Sequence, residues 1–142
     1  MRTVTLTKNK TCKQFKIPSE QDWGELADFV AAQLKAGDIV AIKGRLGAGK
    51  TTFVQALARL LGIKKDIQSP TFALMRSYPI PKRGELKRLL HVDAYRIEDE
   101  RDLLPLDLDH ELSDGQTALV LEWPEKIKNW IEHRSSIQIV IT

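Results

Sequence analysis

Eight consecutive residues, G-R-L-G-A-G-K-T from Gly44 to Thr51, constrain this chain more than anything else in it. They match G-x-x-x-x-G-K-[ST] at every specified position. A short apolar run, DIVAIK at 38–43, precedes them, and TTFVQALARLL at 51–61 follows with apolar residues at helical spacing. A loop of this kind between strand and helix turns backbone N–H groups toward phosphate oxygens. Glycine permits the tight path, and the start of the helix adds free N–H groups and a positive dipole end. The motif therefore assigns Gly44, Arg45, Leu46, Gly47, Ala48 and Gly49 to the phosphate cradle, with Thr52 just behind it at the helix start. Lys50 is expected to reach the β- and γ-phosphates, and the Thr51 hydroxyl to ligate Mg²⁺. The loop alone does not separate ATP from GTP. An N-K-x-D pattern that would read guanine is absent, which favours ATP.

A magnesium nucleotide also needs carboxylates. Two acidic residues follow apolar runs that read as strands: Asp93 after LLHV and Glu122 after ALVL. In a parallel sheet the carboxyl ends of such strands meet at the phosphate loop. Either carboxylate suits the metal, and spacing does not name a base for an attacking water. The bland reading of Asp93 is a strand-end turn, and of Glu122 a helix cap or surface charge.

Around the loop, RTVTLT at 2–7 and CKQFKI at 12–17 read as a hairpin or two edge strands. Ser19 reads as the cap of a helix running to about Lys35, with Trp23, Leu26, Ala27, Val30, Ala31 and Leu34 on its buried stripe. In the helix after the loop, Phe53, Leu57, Leu60 and Leu61 fall on or near one face. Further strands are expected at 72–78, 86–92, 118–121 and 137–141, and helical segments at 97–104, DLDHEL and PEKIKNWIE. Pro105 interrupts the first pair of these, and Pro124 suits a first helical turn. The expectation is one domain over 1–142: a small α/β P-loop fold with a mixed, mainly parallel central sheet flanked by helices.

Composition excludes other classes. Cys12 is the only cysteine, so no internal disulfide framework exists. His91, His110 and His133 make no ligand pattern, which argues against zinc. No run approaches the roughly 20 apolar residues of a membrane span, and the N-terminus has no signal-peptide pattern. A cytoplasmic protein without membrane contact is expected. The formal charge is +3. The lysines at 8, 10, 13 and 16, and the cluster Lys82, Arg83, Lys87 and Arg88, read as solvated surface.

Four blocks occur in order: GRLGAGKTTF at 44–53, SPTF at 69–72, HVDAYR at 91–96 and LEWPE at 121–125. On these blocks the chain resembles TsaE, the small bacterial P-loop ATPase family of threonylcarbamoyladenosine (t6A) formation at adenosine 37 of tRNA. The resemblance implies that Lys50 and Thr51 bind phosphate and magnesium, that Glu122 is a metal ligand and that Asp93 is a second carboxylate needed for activity. It also implies that Thr71 approaches the metal or γ-phosphate and that Trp123 lies near the nucleotide. Tyr95 and Arg96 would support the site or a partner surface. The implied partners are TsaB- and TsaD-like proteins, with tRNA engaged through the assembled complex. The threonylcarbamoyl transfer itself would belong to the partners, and ATP hydrolysis here would reset them. The family usually carries aspartate where this chain has Arg45. Two other readings compete: a nucleotide-sensing partner without turnover, and a small-molecule kinase using Arg83, Arg88, Arg96 or Arg101 over the transferred phosphate.

Overall fold

The computed structural model describes residues 2–19, 21–67, 74–81 and 84–142. Its centre is a parallel sheet made from the most apolar runs of the chain. Strands β3 (Ile39–Lys43), β5 (Arg88–Asp93), β6 (Thr117–Glu122) and β7 (Ile137–Ile141) lie in the order β7-β3-β6-β5, all parallel. Every residue of β6 is buried, as a strand covered on both faces requires. β1 (Arg2–Lys8) and β2 (Thr11–Ile17) form the expected hairpin, and β1 continues antiparallel onto β7. β4 (Met75–Pro79) closes the other edge antiparallel to β5. The full order is β2-β1-β7-β3-β6-β5-β4. The sheet is mixed: parallel through its four central strands, antiparallel at both edges.

Alternation along the strands divides the core in two. Val40 and Ile42 of β3, Val120 of β6 and Ile139 of β7 face α1 (Gly24–Gln33) and α2 (Lys50–Leu60). Ile39, Leu119, Leu121, Leu90 and Val92 face the other side. That side is covered by a 3-10 segment Glu100–Leu106, α3 (Leu108–Leu112), a 3-10 turn Pro124–Ile127 and α4 (Lys128–Glu132).

Several local expectations are corrected. Ser19 does not cap α1, which begins only at Gly24 with no side-chain cap bond. Its hydroxyl and its amide both donate to the Asp22 carboxylate, at 2.6 and 3.0 Å, so Asp22 closes a turn that delays the helix. Leu60 is exposed, and Val54 and Ala58 are buried in α2 alongside Phe53, Leu57 and, just past its end, Leu61. The segment expected at 97–104 starts instead at Glu100. There Asp99 accepts from Arg101 N and forms a reciprocal cap with Asp102. The strand expected at 86–92 starts two residues later, at Arg88, and ends one later, at Asp93. Cys12 is exposed. Among the described residues no helix is long and apolar enough to cross a membrane.

Candidate functional site

β3 delivers the chain directly into the loop. The backbone of Gly49 has φ 107°, a conformation L side chains rarely adopt, and an added Cβ there would lie 2.3 Å from Cζ2 of Trp23. Trp23 is buried just ahead of α1 and packs on Phe53 of α2, with ring centroids 6.2 Å apart. The loop thus rests against an indole at Gly49. On its outer side the Arg2 guanidinium donates to the Gly47 carbonyl at 2.7 Å. Ala48 is buried and its N–H donates to the Arg45 carbonyl, whereas the Arg45 and Leu46 side chains are exposed.

Lys50 opens α2 and is buried. Its ammonium donates to the Gly44 and Arg45 carbonyls, each at 2.7 Å, and sits 4.6 Å from the centroid of the Trp123 ring. Burial pushes its pKa below the ordinary lysine value. The carboxylates of Glu122, Asp93 and Glu125 act in the opposite direction. Trp123 follows β6 in a left-handed conformation, φ 61°, and its ring leans on Tyr95 at 4.9 Å.

The two carboxylates come from neighbouring strands in direct register, Asp93 of β5 opposite Glu122 of β6, with Glu122 also opposite Ile42 of β3. Parallel pairing turns all three toward the α2 side. Asp93 Oδ1 accepts from the Tyr95 amide at 3.0 Å. Glu122 is buried and lies 2.5 Å from Nε2 of His91, which is fully buried.

One cavity of about 280 Å³ is lined by Leu46, Gly47, Gly49, Lys50, Thr51, Thr52, Asp93, Glu122 and Trp123. It therefore gathers most of the residues singled out from sequence. Gly44, Arg45 and Ala48 are held beside it as backbone. Thr71 and the rest of Ser69–Phe72 lie outside the described residues, as do Lys82 and Arg83. The sequence placed His91 outside any ligand pattern and assigned nothing to Arg2. The signal for His91 was its place two residues before Asp93, which puts both on one face of a strand. Arg2 carried no signal at all.

Residues 17–142 match the family described as threonylcarbamoyl adenosine biosynthesis protein TsaE. The chain belongs to the TsaE family. It is 42% identical over 117 residues to the tRNA threonylcarbamoyladenosine biosynthesis protein TsaE of Streptomyces coelicolor, covering 81% of this chain and 76% of that one. It is 37% identical over 118 residues to the Aquifex aeolicus TsaE, covering 82% and 80%. Its structure is similar to the crystal structure of Bacillus subtilis YdiB, with a TM-score of 0.68 and 30% identity over 96% of this chain and 76% of the other. Every cavity residue falls inside the TsaE match, and Arg2 falls outside it.

Proposed function

We propose that this TsaE-family chain binds and hydrolyses ATP with Mg²⁺, and that this supports turnover of a TsaB–TsaD complex in threonylcarbamoylation of adenosine 37 of tRNA. The observation that carries the proposal is the convergence of Lys50, Thr51, Asp93 and Glu122 on one cavity at the carboxyl ends of parallel strands.

These groups suit magnesium. That ion is usually held by one or two carboxylates together with phosphate oxygens and water, rather than by a cage of protein ligands. Among the described residues no three acidic, histidine or cysteine side chains cluster as such a cage. Asp93, Glu122 and Thr51 would hold the ion jointly with a nucleotide, and the ion would neutralise charge on the phosphate oxygens. Lys50 supplies the remaining positive charge. Its contacts with two loop carbonyls keep it extended along the loop, where its ammonium can exchange those carbonyls for phosphate oxygens. Trp123 walls the cavity and shields Lys50 from solvent. Phosphoryl transfer to water asks for positioning and charge stabilisation and needs no protein nucleophile. By resemblance to the family's SPTF segment, Thr71 would approach the metal or the γ-phosphate. With tRNA as the eventual target of the complex, the chain acts in the cytoplasm.

The test is Mg²⁺-dependent ATP hydrolysis by the chain alone, then with TsaB, TsaD and tRNA. Low activity alone, strong stimulation by the partners, and loss of that stimulation in K50A and E122A are expected. ATP binding without stimulation by folded partners would refute the hydrolytic cycle and favour a nucleotide sensor.

A further inference from the structure

The buried histidine behind the carboxylate is not used by any step above. His91 has no exposed surface, and Glu122 is 2% exposed. Nε2 of His91 lies 2.5 Å from Oε2 of Glu122, and Nδ1 is buried with no hydrogen-bond partner among the described residues. A histidine kept only for packing is a poor choice there. An unpaired buried polar atom is destabilising, and its neighbours along β5, Leu89, Leu90 and Val92, show that the strand accepts apolar residues. What the imidazole adds is one aimed donor. With Glu122 as the carboxylate, Nε2 carries the proton and engages a single oxygen, Oε2.

From this geometry we propose that His91 is a positioning residue: it pins one oxygen of Glu122 and fixes the rotamer that presents the other to a divalent cation. The proposal rests on the magnesium-nucleotide reading of the cavity. Asp93, two residues on and on the same face of β5, accepts at its Oδ1 from the backbone amide of Tyr95. Groups that orient a metal ligand typically change metal affinity 10–100-fold when removed.

The test compares three variants by circular dichroism and by Mn²⁺ binding in the presence of ATP, followed by electron paramagnetic resonance. In H91Q the side-chain amide extends to about the place of Nε2. In H91N it stops at the level of Nδ1, and H91F fills the space with no donor. Mn²⁺ affinity within about threefold of wild type in H91Q, and 10–100-fold weaker in H91N and H91F, is expected. The loss should appear as a raised metal requirement, with turnover restored at saturating Mg²⁺, and should vanish in an E122Q background. A purely structural role would instead lower melting temperature in all backgrounds without touching metal affinity. Equal Mn²⁺ affinity in wild type, H91Q and whichever of H91N and H91F folds would overturn the inference and leave the ATPase reading standing. Wild-type protein that binds no Mn²⁺ with ATP would overturn that reading and the inference with it.

Discussion

Replacing Gly49 with alanine tests how firmly the phosphate loop is seated. Two costs follow from its surroundings. The φ of 107° lies where an L-residue is strained by roughly 1–2 kcal/mol. The new methyl would stand 2.3 Å from Cζ2 of Trp23 and 3.1 Å from Cε2 and Cη2, against an ordinary carbon contact of about 3.5–4.0 Å. Trp23 is 2% exposed and packed on Phe53, so it cannot swing out. Overpacking of this kind costs about 1–3 kcal/mol. The sum is about 2–5 kcal/mol, or a fall in melting temperature on the order of 10 °C for a chain of this size. Urea denaturation followed by circular dichroism reads it. The steric part is isolated by a double-mutant cycle. W23A alone opens a cavity worth about 3–5 kcal/mol, but in that background G49A should keep only the backbone strain, a coupling of about 1–3 kcal/mol. A G49A protein within about 0.5 kcal/mol of wild type, the scatter of a neutral surface change, would refute the reasoning. So would a cost unchanged by W23A.

Four further outcomes are expected. T117V removes a buried hydroxyl that donates to Asp114 Oδ2 at 2.8 Å and accepts from Arg88 Nε at 3.0 Å; it should destabilise by about 1–3 kcal/mol in urea melts without changing ATP affinity. R45D reverses an exposed charge whose carbonyl, not its side chain, serves Lys50; stability within about 0.5 kcal/mol of wild type is expected. W123A should weaken ATP binding and abolish an ATP-induced change in tryptophan fluorescence that W130F retains. Lys50 titrates below 10.5 when folded. The folded chain therefore binds fewer protons than the unfolded chain between that lowered value and 10.5, and the Lys50 contribution to stability rises with pH across the window. The difference between wild type and K50M in urea melts at graded alkaline pH shows it, and ATP affinity should fall across the same range as the ammonium is lost.

The loop, its strand and its helix were legible because each rests on residues adjacent in sequence. Asp93 and Glu122 were legible for a related reason: an acid ending a continuous apolar run marks the carboxyl end of a buried strand. The sequence did not show that the two stand in register, since pairing across β5 and β6 is set by packing between distant segments. Ser19 misled because its hydroxyl serves a local turn, donating to Asp22 and accepting from the Gln21 amide, five residues before α1 begins. The helix face at Leu60 misled because 3.6-residue periodicity defines a stripe but not its edges. Trp23 was correctly placed in the core, yet nothing in its spacing pointed to Gly49. Contacts of that kind, like Arg2 on Gly47, join segments that no local pattern relates.

β3 is flanked by β6 and β7, both drawn from the last quarter of the chain. During synthesis the loop and α2 leave the ribosome long before either neighbour exists. A nascent chain ending before Thr117 therefore has the loop sequence but no sheet to hold it, no Glu122 and no Trp123. Such non-local closure is slow compared with helix formation, and it makes the cavity with its two carboxylates a property of the completed sheet. Until β6 is made, the loop has neither the carboxylate nor the indole that complete its cavity.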